Sequence, residues 1–282
     1  MPAELDLATR FADIRIPNEV SSLKRFGRLA PLADWLTSTS PNQIPEPITE
    51  RELIVFSRNE KWASDASSVA TGGSSINRRL VRVADSPETE PAIELGISAA
   101  DQAIDSGIQL LFIAADRAET LNDIPITVGA LTGRDAASVT PRRNARDELW
   151  MQNAAQIRDG IYAAREHLTD PVTLLSQTGA SELAALLGCI LQAANRATPV
   201  VLIDDAALTA ALVARRIAYR SRDWVLPAVD LVSPAGQLAQ RYLDRPPILE
   251  LAVDFNADYL TPMIMTIPII DAVLALLRND SF

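Results

Sequence analysis

Val172–Ala214 reads VTLLSQTGASELAALLGCILQAANRATPVVLIDDAALTAALVA, and the order of its segments decides the fold class. An apolar run, a Thr178-Gly179 turn, an apolar helix, a Pro199-led run from Val200 to Ile203, then Asp204-Asp205 and another helix predict strand–helix–strand–helix, a βαβ unit. Val200–Ile203 has no polar alternation, as expected of a parallel strand covered by helices on both faces. The carboxyl end of that strand, where open α/β sheets place their ligands, carries the two aspartates.

Outward from this stretch the alternation continues. Ile108–Ala114 (IQLLFIA) predicts another strand, so Ala115-Asp116-Arg117-Ala118-Glu119 stands at a second sheet carboxyl end. Leu53–Phe56 predicts a further strand. Gly72-Gly73-Ser74-Ser75-Ile76-Asn77 predicts the opening of a helix, either a set of backbone amides for a phosphate or a tight turn with a Ser cap. Helices are also predicted from Ser21-Ser22 through Leu36, over Ala99–Ser106, over Ile124–Leu131 and from Asp147 to Glu166. Beyond the opening stretch come a strand at Trp224–Val232, a helix at Ala235–Tyr242, a last strand at Ile248–Val253, and an apolar helix pair over Thr261–Leu277 divided at Pro268. The fold class is therefore α/β: a mostly parallel sheet with helices on both faces, a Rossmann-like three-layer arrangement, plus a small helical annex from the N- and C-terminal helices. Pro41, Pro45 and Pro47 mark a boundary, so residues 49–260 are expected to form the large domain, and 1–48 with 261–282 the small one.

The chain has 282 residues, 48% of them hydrophobic and 22% charged, enough to bury a sizeable core. Its net charge of -10 and pI of about 4.7 argue against a nucleic-acid or anionic-membrane partner. Lys24 and Lys61 are the only lysines, so arginine carries nearly all the positive charge. The single cysteine, Cys189, excludes an intramolecular disulfide and fits a cytoplasmic protein; on an apolar helix it reads as a buried thiol. His167, the one histidine, suits the carboxyl end of a helix. Neither a signal peptide nor a membrane span is expected. No metal site is expected either, because the adjacent Asp204 and Asp205 would face opposite sides of a strand with no further clustered ligands. The basic loop Thr140-Pro141-Arg142-Arg143-Asn144 offers two readings, bidentate arginines for an anion or a solvated turn.

With these fragments in order, the chain resembles the nicotinate-nucleotide:dimethylbenzimidazole phosphoribosyltransferase family. Leu23-Lys24-Arg25-Phe26-Gly27-Arg28-Leu29 is similar to the family's SLGRLE, and Gly72–Asn77 to its GGAAIN. Leu131-Thr132-Gly133-Arg134-Asp135 recurs at the family's spacing, and the opening stretch is similar to GGPEIAALAGAI followed by PVVLDGF. Pro268-Ile269-Ile270-Asp271-Ala272 is similar to the last helix.

The resemblance implies phosphoribosyl transfer from nicotinate mononucleotide to 5,6-dimethylbenzimidazole, giving α-ribazole phosphate for the cobalamin lower ligand, by a homodimer without cofactor or metal. It places the family's GEMGIGNTT on Ala114–Asn122, so that Asp116, Arg117, Glu119 and Asn122 are candidate substrate contacts. It places GRGTG on Pro141–Ala145, making Arg142 and Arg143 candidates for the phosphate, while Asp204 ends the strand across the cleft. The family's general-base glutamate, in RLGEGTGA, falls in Asp254–Thr261, where Asp258 is the candidate base and no glutamate occurs. The glycines and the lysine of the family's phosphate site have no counterparts here. A second reading therefore stays open, a lapsed homologue that binds a nucleotide, a base or a protein without turnover.

Overall fold

The computed structural model describes residues 6–58, 68–71, 74–84, 88–116, 122–142, 147–252 and 260–279. Among the described residues six strands form one sheet: β1 (Arg51–Ser57), β2 (Ser68–Thr71), β3 (Ser74–Arg82), β4 (Leu110–Asp116), β5 (Val200–Leu202) and β6 (Val225–Pro227). Their order is β2-β3-β1-β4-β5-β6, and every pairing is parallel except the β2–β3 edge. The chain lays β3 on one side of β1 and then crosses to β4 on the other, in register from Arg51↔Leu110 to Ser57↔Asp116. Strand order thus reverses between β1 and β4, and an open α/β sheet leaves its ligand crevice at that reversal, outside the strand carboxyl ends.

The helices are α1 (Leu7–Arg10), α2 (Ala30–Thr39), α3 (Glu90–Asp105), α4 (Asp123–Thr132), α5 (Ala136–Val139), α6 (Asp147–Ala164), α7 (Pro171–Thr178), α8 (Ser181–Asn195), α9 (Asp205–Ile217), α10 (Pro234–Leu243) and α11 (Leu260–Asn279). Successive strand residues point to opposite faces. Ile54, Phe56, Leu111, Ile113, Val200 and Leu202 share one core with α3, α8 and α9. Leu53, Val55, Leu110, Phe112, Val201 and Ile203 share another with α2 and α11, so those two helices cover the second face. Three layers result. On the first face α3 and α8 meet backbone to backbone: a Cβ on Gly188 would lie 2.1 Å from the Ile93 carbonyl oxygen, and one on Gly96 1.8 Å from that of Ala185. Cys189 lies in this interface, fully buried, and burial pushes its thiol up to about 12.

Several elements depart from the expectations. Val172–Thr178 is helix α7, not the first strand of a βαβ unit. Asp170 caps it by accepting the Thr173 N–H at 3.2 Å, Pro171 occupies its first turn, and Gly179 ends it at φ 65°. The parallel neighbour that precedes β5 is therefore β4, with α4 through α8 between them. Ser74–Arg82 is a strand, so no helix opens after Gly73; Gly72 and Gly73 lie outside the described residues.

Lys24–Leu29 is a 3₁₀ segment interrupted by Gly27 at φ 57°, and α2 begins only at Ala30, with Pro31 in its first turn. The helix expected at Ala99–Ser106 extends back to Glu90. The strand expected at Trp224–Val232 shrinks to β6 (Val225–Pro227); Trp224 closes a 3₁₀ turn that begins at Tyr219. In place of the Ile248–Val253 strand, the described residues show one isolated bridge, Val229↔Leu249.

Thr261–Leu277 lies within a single helix, α11, with Pro268 inside it. The carbonyl that Pro268 leaves without an i+4 donor belongs to Ile264, a residue 38% exposed. By length and composition α11 is apolar enough to cross a bilayer; Met263, Ile267, Ile270, Val273, Leu274 and Leu277 are buried in the core on the sheet's second face.

Candidate active site

The reversal point between β1 and β4 brings Ser57 and Asp116 side by side as the last residues of their strands. The Ser57 hydroxyl donates to Asp116 Oδ2 at 3.0 Å. One residue further, Arg58 reaches down to helix α8, where its Nε donates to Glu182 Oε1 at 2.6 Å. The Glu182 side chain is 2% exposed and that of Arg58 22%, so the acid lies inside and the base at the rim. Glu182 Oε2 is buried without a hydrogen-bond partner.

At the next strand end Asp204 is committed to the scaffold. Its Oδ1 accepts the Ala207 N–H at 2.7 Å, capping α9, and its Oδ2 accepts the Ala115 N–H at 2.8 Å, tying β4 to the same turn. Asp205 accepts from the Ser233 hydroxyl, and Ser233 in turn caps α10 through the Gly236 N–H at 2.9 Å. The two aspartates of the opening stretch therefore act as clamps. Both oxygens of Asp230, after β6, accept the N–H of Ala252 at 3.0 Å, and its Oδ1 also accepts that of Leu251. That carboxylate holds the backbone immediately before residues 253–259.

Of the remaining candidates, Asn122 precedes α4, and its Nδ2 donates to Gln156 Oε1 on α6 at 3.1 Å. Arg142 is exposed and stacks over the ring of Trp150 at the start of α6, 5.3 Å from the centroid. Arg117, Glu119, Arg143 and Asp258 lie outside the described residues.

Sequence reasoning placed Asp116 correctly at a strand end and missed Ser57, Arg58, Glu182 and Asp230. A signal for Glu182 existed: it is the only charge between Ala180 and Asn195, and a lone carboxylate on an otherwise apolar helix needs a buried partner. For Asp230 the signal was its place just after a strand. Among the described residues no group of three or more His, Cys, Asp or Glu side chains could hold a metal ion. A cavity of about 640 Å³ lies elsewhere, between α1, the start of α7 and Arg216-Ile217 at the end of α9. Because α9 starts at Asp205 and runs for 13 residues, that cavity lies about 20 Å from the strand carboxyl ends.

Comparison with known proteins bears on this crevice. The family model described as phosphoribosyltransferase matches residues 65–281. The nicotinate-nucleotide–dimethylbenzimidazole phosphoribosyltransferase of Streptomyces avermitilis is 32% identical over 269 residues, covering 91% of this chain and 71% of that one. That of Streptomyces coelicolor is 28% identical and covers 86% of this chain and 84% of its own. Among solved structures, the enzyme of the same name from Thermus thermophilus superposes with a TM-score of 0.70 at 16% identity, over 97% of this chain and 96% of that one. The CobT structure from the same organism gives 0.71 at 18% identity, over 96% and 95%. These likenesses show the same fold. The sequence matches go further: the chain belongs to the nicotinate-nucleotide–dimethylbenzimidazole phosphoribosyltransferase family.

Proposed function

We propose that this protein transfers the phosphoribosyl group of nicotinate mononucleotide to 5,6-dimethylbenzimidazole or a related aromatic base. A ring nitrogen of the base attacks C1 of the ribose, the bond from C1 to nicotinate breaks, and the proton on the other ring nitrogen passes to a carboxylate. Asp258 is the carboxylate proposed for that proton. Asp116, Arg117, Glu119, Asn122, Arg142 and Arg143 are proposed to surround the nucleotide. The observation that carries this reading is the meeting of Ser57 and Asp116 at the β1–β4 reversal in a chain of this family. A homodimer and a cytoplasmic location belong to the same proposal.

Incubation of pure protein at high concentration with both substrates, followed by mass spectrometry, is expected to reveal α-ribazole phosphate, with the rate falling at least tenfold in Asp258→Asn. Absence of product from the wild type would sink the transferase reading. The observation favouring the alternative is that Asp254–Thr261 contains no glutamate where the family keeps its base. On that reading the protein binds mononucleotide or base without turnover, and calorimetry detects binding where mass spectrometry finds no product.

A further inference from the structure

The cavity of about 640 Å³ between α1, the start of α7 and the end of α9 stands apart from the strand carboxyl ends, and its lining sorts by chemistry. Leu7, Leu168, Pro171, Val172 and Ile217 give it aliphatic walls, and among the described residues no aromatic ring lines it. It therefore offers no stacking platform for a planar base. Four charged side chains complete the lining. Asp6 and Asp170 are engaged where they stand: Asp6 accepts from Thr9 as the cap of α1, and Asp170 from Thr173 as the cap of α7. Glu90, in the first turn of α3, and Arg216, in the last turn of α9, are not; neither makes an ion pair or a side-chain hydrogen bond among the described residues. Opposite charges thus line one cavity without meeting, with aliphatic side chains around them. The frame is fixed, because Arg10 on α1 pairs with Glu94 on α3, and the Thr89 hydroxyl donates to the Val172 carbonyl at 3.2 Å, tying α3 to α7.

Charge narrows the ligand. An anion alone would meet Arg216 but also three carboxylates, and a cation alone would meet the acids with Arg216 beside it. A molecule with an ammonium group, a carboxylate and an aliphatic body suits every wall. We propose that this cavity binds an aliphatic zwitterion, an amino acid or a short peptide, with its ammonium group on Glu90 and its carboxylate on the planar fork of Arg216. Arg216 is exposed, so its charge stays partly hydrated and the affinity is modest. The site goes beyond the transferase reading and does not depend on it, since the length of α9 separates the two places.

The test is calorimetric titration of the full chain with leucine, 6-aminohexanoate and leucyl-leucine, whose end charges stand at different separations. At least one is expected to bind with a dissociation constant of about 0.1–1 mM. Tightest binding of leucine or 6-aminohexanoate indicates a free amino acid, and of leucyl-leucine a peptide. Blocking either end of the tightest ligand, by N-acetylation or as the carboxamide, should weaken it at least about fivefold. Arg216→Gln is expected to weaken the zwitterion about five- to tenfold and leave the carboxamide unchanged, whereas Glu90→Gln weakens the zwitterion and leaves the N-acetyl form unchanged. Ala8→Trp, at an exposed position on α1, fills the cavity and is expected to abolish binding of every form. Saturating nicotinate mononucleotide should leave zwitterion binding as it was. Four results would each overturn the site: no zwitterion bound at about 10 mM, equal binding of blocked and free forms, undiminished binding to Ala8→Trp, or displacement by the mononucleotide. None of them bears on the transfer reaction, which is read by formation of product.

Discussion

Asp204 shows how one side chain at a strand end can look like a ligand contact while serving the scaffold. Its two oxygens accept the N–H groups of Ala207 and Ala115 at 2.7 and 2.8 Å, and so join the start of α9 to the end of β4. Asp204→Ala removes a helix cap and also leaves a buried backbone N–H without a partner. The expected loss is roughly 2–4 kcal/mol in urea unfolding, with Asp204→Asn retaining part of the cap. Unchanged stability in Asp204→Ala, together with lost nucleotide binding, would make Asp204 a ligand contact after all. At this scale the position of Asp204 was readable and its task was not, because a carboxylate after a strand is equally suited to a ligand and to a helix amide. The Arg58–Glu182 pair joins residues 124 positions apart. No local pattern relates them; only the packing of α8 beneath β1 does.

At the scale of elements, long amphipathic or apolar segments with clear ends were legible: α4, α6, α9, β1 and β4 all lie close to where their residues predict. The errors have two causes, one local and one tertiary. Val172–Thr178 combines β-branched residues with a run of leucine, and a strand reading ignores the Asp170-Pro171 start that makes it helical. Ser74–Arg82 opens on a mostly polar sequence and reads as non-strand, until pairing with β1 on one side and β2 on the other supplies its hydrogen bonds. Tertiary pairing overrode local preference there.

Helix packing gives a test that local propensity would answer wrongly. Gly to Ala inside a helix normally stabilises. At Gly188 the added methyl would sit 2.1 Å from the backbone oxygen of Ile93, which cannot rotate away. Gly188→Ala is therefore expected to lower the unfolding free energy by roughly 1–3 kcal/mol as α3 and α8 are pushed apart. A thermal melt at or above the wild-type midpoint would show that the two helices do not touch as described.

For the molecule as a whole, the three-layer α/β architecture followed from alternating segment types, but the strand order did not. Nothing in the residues of β1 says that β3 lies on one side and β4 on the other, and that order alone puts the crevice at Ser57 and Asp116. The role of α2 and α11 as the cover of the second face also required the assembled sheet. One interaction anchors that cover to β1: Arg51, nearly fully buried, forms a bidentate pair with Asp271 on α11. Asp271→Ala would leave a guanidinium buried without its counter-charge. Because Asp271 itself is 41% exposed and water can partly replace it, the expected loss is below that of a fully buried pair, about 2 kcal/mol. Arg51→Met/Asp271→Leu removes both charges and is expected to restore most of that loss, since an apolar pair fits a layer already built from Leu53, Ile267 and Ile270. Measured as a double-mutant cycle in guanidinium chloride, a coupling energy near zero would mean that α11 is held by its apolar face alone, and the ion pair would lose its place as the latch between the last helix and the first strand.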